Sequence, residues 1–170
     1  MLRLRGLCQA LLVALLAVQT APAAAVTGLD AEPPPAAAAD PYAAGVAAFE
    51  REDWEGVLDH MSLAIEQRPW QDNAHNLMGF AYRKLGDYPA ALAAYDKALT
   101  LNPHNRGALE YLGEAYLELD RPDDAKATLE RLAAACRLLA HGAVDPLAIC
   151  HEWQELSEAY EAYVAKASAD

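Results

Sequence analysis

The sequence predicts an all-α fold built as an array of repeated helical hairpins, and three observations carry that reading. From residue 40 the chain resembles itself at a fixed spacing: Gly45, Gly79 and Gly113 lie 34 residues apart, as do Trp54, Tyr88 and Pro122, and Ala64, Ala98 and Leu132, with Pro69 and Pro103 as a further pair. Self-similarity at this period marks stacked supersecondary units. Hydrophobic residues make up 54% of the chain but aromatic residues only 8%; alanine supplies much of the difference, which favours close-packed helices over a β-sandwich. Apolar residues within each unit recur at helical rather than alternating spacing.

The elements follow in order. Residues 1–25 begin with Arg3 and Arg5, continue through an apolar run from Leu7 to Val18, and end in the small residues Ala21-Pro22-Ala23-Ala24-Ala25. This is the order of a secretory signal peptide, and the run is shorter than the ~20 residues of a membrane span. Cleavage is expected after Ala25, giving an exported, periplasmic or secreted chain with no stable membrane span. Cys8 precedes most of the apolar run and is badly placed for a lipid anchor. Residues 26–39, with three consecutive prolines, read as a linker of extended geometry.

The repeated region, residues 40–139, divides into units 38–71, 72–105 and 106–139. Helices are expected at about 41–51, 54–67, 72–85, 88–101, 106–119 and 122–138. In the middle unit Asp72 is a candidate N-cap, Gly86-Asp87 a turn, Pro89 a helix start that loses no hydrogen bond, and Pro103 a stop. Gly79 and Ala91 are expected to face each other where the two helices approach closely, while Tyr82, Tyr95 and Leu99 fill the wider parts of the layer. Residues 140–170 read as a loop and a capping helix at about 147–166. Its apolar stripe, Trp153, Leu156, Tyr160, Tyr163 and Val164, would cover the open face that a terminal repeat leaves.

Met78-Gly79, Tyr82, Gly86, Tyr88, Ala91, Tyr95, Ala98 and Pro103 in the middle unit closely resemble the tetratricopeptide repeat (TPR) family. The third unit keeps Leu112-Gly113, Tyr116, Ala125 and Leu129, with Asp120 in place of the turn glycine and Arg137 in place of the terminal proline. The first keeps Gly45, Trp54, Ala64 and Pro69 but has Ala48 and Val57 at consensus sites. His75 stands where the family usually has tryptophan. The tail "ICHEWQELSEAY" is similar to those of small exported bacterial TPR proteins. The resemblance implies a right-handed α-solenoid of three hairpins plus a C-terminal capping helix.

It also implies a concave groove lined by the first helix of each unit, in which an extended peptide or helix of another protein binds. The lining residues would be Tyr42, Val46 and Phe49, then Asn73, Asn76, Phe80 and Arg83, then Glu110, Glu114 and Leu117. The asparagines would bond a peptide backbone, and Arg83 would grip an acidic group. The basic clamp of cochaperones that bind acidic chaperone tails is missing, since the corresponding sites hold Tyr42, Val46, Leu77, Gly107 and Tyr111.

The chain has 25 acidic and 13 basic residues. Two of the bases, Arg3 and Arg5, belong to the leader, so 25 acids remain against 11 bases. This argues against nucleic acid and anionic membranes as partners. An exported chain with Cys136 and Cys150 reads most simply as carrying one disulfide between them. The alternative is a thiol-redox or metal-binding envelope protein using Cys136 and Cys150 with His141 and His151, although Cys-x-x-Cys spacing is absent. No nucleophile elbow or phosphate-binding loop occurs, and no catalytic residue, cofactor or resident metal is expected. The sequence therefore predicts an exported, non-catalytic adaptor for another envelope protein or peptide, or a subunit that stabilises a larger enzyme.

Overall fold

A computed structural model describes residues 40–139 and 145–169. The leader and linker, together with His141 and the expected reversal at Gly142, lie outside the described residues. Those described form an all-helical solenoid of seven helices: α1 (Pro41–Glu50), α2 (Trp54–Gln67), α3 (Asp72–Lys84), α4 (Tyr88–Leu101), α5 (Arg106–Glu118), α6 (Pro122–Leu139) and α7 (His151–Ala167). Consecutive pairs α1–α2, α3–α4 and α5–α6 are hairpins. Helix α1 touches α3, α3 touches α5 and α5 touches α7, whereas α2, α4 and α6 do not touch one another. Odd-numbered helices are therefore the close-packed inner row and even-numbered helices the splayed outer row.

Each hairpin turns in the same way. The amide of Asp53 bonds the carbonyl of Ala48, that of Asp87 bonds Tyr82, and that of Arg121 bonds Tyr116, at 2.8–3.0 Å. Each bond spans a helix C-terminus closed by one left-handed residue. That residue is Gly86 in the middle hairpin, with φ +81°, but Glu52 and Asp120, with φ 57° and 58°, in the outer two. The next helix starts at once, because Asp53 and Asp87 accept bonds from Gly56 and Ala90 amides at 3.0 and 3.1 Å.

The glycines 34 residues apart set how closely the helices approach. A Cβ on Gly45 would lie 2.5 Å from the Met61 methyl, and one on Gly79 would lie 2.5 Å from the Tyr95 ring. Gly79 thus receives Tyr95 rather than Ala91, the expected partner; Ala91 is buried nearby in the same core. The third hairpin departs from this pattern. Leu156 of α7, and not a residue of α6, comes within 2.5 Å of a Cβ on Gly113. Leu156 is fully buried, so α7 packs as a further inner helix.

Three expectations at element ends are corrected. Asp72 does not cap α3; the cap is Gln71, which makes no side-chain bond. Asp72 is the first helical residue, and its carboxylate accepts from Asn102 and Asn105 at 2.7 and 2.9 Å, tying the start of the middle unit to its end. Helix α7 starts at His151 rather than 147, because Asp145 accepts from the amides of Leu147 and Ala148 and folds them into a turn. Val164 of the expected stripe is exposed, while Trp153 packs on the core.

A left-handed Glu is strained where a glycine is not. Glu52→Gly is expected to stabilise the protein by about 0.5–1 kcal/mol after the greater freedom of unfolded glycine is offset. Thermal unfolding should shift up by a few degrees; an unchanged or lower midpoint would show that the turn stores no strain.

Candidate functional site

The inner row carries a ladder of aromatic rings. Phe49 of α1 and Phe80 of α3 have ring centroids 4.9 Å apart, and Phe80 and Tyr111 of α5 are 4.7 Å apart. Trp54 joins from the start of α2, 5.5 Å from Phe80 and 5.7 Å from Phe49. The ladder exists because position 49, its equivalent one repeat on, Arg83, and the neighbours Phe80 and Tyr111 all fall on the inward face of parallel helices at helical spacing. Lys84 Nζ lies 5.1 Å from the Phe80 centroid and Arg83 lies 5.0 Å from it, both within cation–π range.

Two clefts open along this face. One, of about 430 Å³, is lined by Phe49, Glu50, Glu52, Trp54, Phe80 and Lys84. The other, of about 530 Å³, runs between α3, α5 and α7 and has Arg83, Glu114, Leu117, Ala159, Tyr163 and Lys166 among its lining residues. Helix α7 is therefore a fourth wall of the groove as well as a cap.

The expected site residues separate into distinct environments. Phe49, Phe80, Glu114 and Leu117 line the clefts. Tyr42 and Val46 are half-buried against the core of the first hairpin. Asn73 accepts a bond from Asn105 at 2.8 Å, at the junction of two units. Asn76 is buried, packed where Gly107 leaves room, and its Oδ1 has no partner. Arg83 is buried and bonded to Glu114 at 2.7 Å and Glu118 at 3.3 Å. Its charge is thus held in the groove floor by α5, which corrects the expectation that Arg83 would grip an acidic group of a ligand.

Glu110 lies beneath α7 and is 4% exposed. Burial, and then the neighbouring Glu155, push its carboxyl up to about 9, so it is neutral at pH 7. Burial and the Glu110 and Glu114 carboxyls push the Tyr111 hydroxyl up to about 12.

Trp54, Lys84, Tyr111 and the α7 residues Ala159, Ala162, Tyr163 and Lys166 were missed as groove residues. Trp54 and Tyr111 are legible only as repeat-consensus or clamp positions. Of those on α7, Tyr163 was read as part of the packing stripe, and Ala159, Ala162 and Lys166 lie outside that stripe.

Cys136 at the end of α6 and Cys150 before α7 are bonded, with Cα atoms 6.0 Å apart. His151 pairs with Glu155 at 3.1 Å. Among the described residues no three His, Cys, Asp or Glu side chains converge as a metal site, and no helix is long and apolar enough to cross a membrane.

Tetratricopeptide repeats match residues 73–105 and 108–135. Over 95 residues the chain is 35% identical to a rice (Oryza sativa subsp. japonica) protein named as an SGT1 homolog, a match covering 56% of this chain and 26% of that protein. The TPR2B domain of yeast Sti1, solved in complex with pHsp70, aligns with a TM-score of 0.64 at 18% identity over 74% of this chain and 94% of that one. PcrH, solved in complex with the chaperone binding region of PopD, aligns with a TM-score of 0.63 at 17% identity over 74% of this chain and 90% of that one. These structures share the fold.

The bond between Cys136 and Cys150 spans a sequence separation of 14. A closed loop of that length is worth about 3 kcal/mol in the chain-entropy account. Reductant should therefore lower the unfolding midpoint by several degrees, with no effect on a Cys136→Ala/Cys150→Ala variant. Equal midpoints with and without reductant would remove the bond from the account.

Proposed function

We propose that this chain is an exported, non-catalytic adaptor that holds an extended segment or helix of another envelope protein in the groove of its inner helices. The observation that carries the reading is the continuous ladder Phe49–Phe80–Tyr111 with Trp54, flanked by two clefts on the same face. Aromatic side chains offer large contact area with little entropy to lose, and recur as anchors at protein interfaces. The Sti1 and PcrH structures, one solved in complex with pHsp70 and the other with the chaperone binding region of PopD, support the same use of the fold.

The binding chemistry differs from that proposed for a basic clamp. Arg83 is neutralised by Glu114 and Glu118, so specificity comes from apolar anchors in the aromatic clefts, with Lys84 and Lys166 as rim charges. A partner segment with aromatic or aliphatic anchors at helical or extended spacing suits this surface. Export rests on the arrangement of residues 1–25 described above. It predicts a mature chain starting at Val26, which N-terminal sequencing would read directly.

The groove is tested by co-purification from an envelope fraction with Lys84→Glu/Ala162→Arg, two exposed groove positions, against Glu66→Lys on the outer helix α2. The groove variant is expected to lose a partner, at least tenfold by band intensity, that wild type and the α2 variant both retain. An unchanged partner profile in the groove variant would contradict groove binding.

A further inference from the structure

We propose that Glu110, enclosed between α5 and α7 against Glu155, makes docking of the capping helix a proton-linked latch that holds at low pH and loosens as pH rises. The proposal stands on the packing of α7 and does not depend on what the groove binds.

Three observations meet at this position. Glu110 is 4% exposed although it carries a titratable group. The cations on its face are already committed: Arg106 of α5 to Glu152 at 3.3 Å, and Arg83 of α3 to Glu114 and Glu118. Asn76 of α3, itself buried, places its amide beside Gly107 and leaves Oδ1 unpartnered; Gly107 is one helical turn from Glu110 on the same face of α5. This stretch of α5 thus already adjoins an unpartnered acceptor, and a carboxylate at Glu110 adds negative charge with no free cation to offset it.

The groups around Glu110 are Tyr111 and Glu114 on α5 and Glu152 and Glu155 on α7; Arg106 is bonded to Glu152, Arg83 of α3 to Glu114, and His151 of α7 to Glu155. Lys84 and Lys166 lie about two and about three turns further along their helices from Asn76 and Glu155. The balance is acidic and low in water, so ionising Glu110 in place sets like charges together with little screening. Lifting α7 admits water and lets the carboxyl ionise freely.

The sign follows from linkage. The docked state holds the proton above the ordinary carboxylate range, up to about 9. Docking is therefore fully supported below that ordinary range. Support is lost as pH rises through the interval, because only the released state gives up its proton. One proton of difference weakens docking by up to tenfold per pH unit. The Cys136–Cys150 bond sits at the start of α7, so a released helix stays tethered and the step is unimolecular. Release uncovers Glu110 and Gly113 on α5 and lengthens the open inner face.

Hydrogen exchange on the full chain from pH 5.5 to 8.5, corrected for intrinsic rates, tests the latch with α2 as internal reference. Protection of residues 151–167 is expected to fall with pH by up to tenfold per unit beyond any change in α2. Glu110→Gln, which keeps size and hydrogen bonding but cannot ionise, is expected to remove that slope. A flat wild-type profile, or a Gln variant that keeps the wild-type slope, would overturn the proposal. Should Glu110→Gln fail to fold, Glu155→Gln serves instead: removing the neighbouring carboxylate lowers the docked-state pKa of Glu110, so the loss of protection should level off at lower pH and be smaller overall, and an unmoved profile overturns the proposal equally.

Discussion

The structure depends on one steric constraint: a glycine on each of α1, α3 and α5 that admits a large side chain from a neighbour. Gly45 receives Met61 and Gly79 receives Tyr95. Without a Cβ the backbones approach closely, and the incoming side chain fills the space as densely as the rest of a protein interior. These fits close α1 on α2 and α3 on α4, and along the array α1 touches α3, α3 touches α5 and α5 touches α7 while α2, α4 and α6 stay apart. The same difference in spacing turns the inner face into a groove and places Phe49, Phe80 and Tyr111 in ring contact along it.

The third glycine extends the rule to the cap. Gly113 is filled by Leu156, which belongs to α7 rather than to the outer helix of its own hairpin. The C-terminal helix is consequently a working part of the array: it seals the core, holds Arg106 through Glu152, and contributes Ala159, Tyr163 and Lys166 to a cleft. The groove floor holds a neutralised arginine, and a buried glutamate lies beside it under α7. This polarity leaves apolar anchors as the natural means of recognition and links the position of α7 to protonation.

Much of the fold was legible because repetition averages local signals. The bounds of the six repeat helices fall within a residue or two of expectation, since turn residues and apolar periods agree in all three units, whereas α7 starts four residues late. The third unit keeps the turn geometry although Asp120 replaces glycine, because the bonds that close it are made by the backbone. The candidate site was less legible. Asn73, Asn76 and Arg83 were expected along the groove, but their partners Asn105, Gly107, Glu114 and Glu118 sit about 30 or more residues away, and sequence spacing says nothing of such pairings. Asp72 shows the same limit: an ideal capping residue by type, it bonds Asn102 and Asn105 of the next junction instead.

That α7 is packed as an inner helix through Leu156 and Gly113 is the central claim, and a double-mutant cycle tests it most directly. Gly113→Ala alone should cost about 1–3 kcal/mol by overpacking against Leu156, and Leu156→Ala alone about 2–5 kcal/mol by leaving a cavity. Because the new methyl occupies part of that cavity, the double variant should be more stable than the sum of the two by about 1 kcal/mol or more. Additive losses in denaturant unfolding would contradict the account, since they would mean that Gly113 and Leu156 do not share the same space.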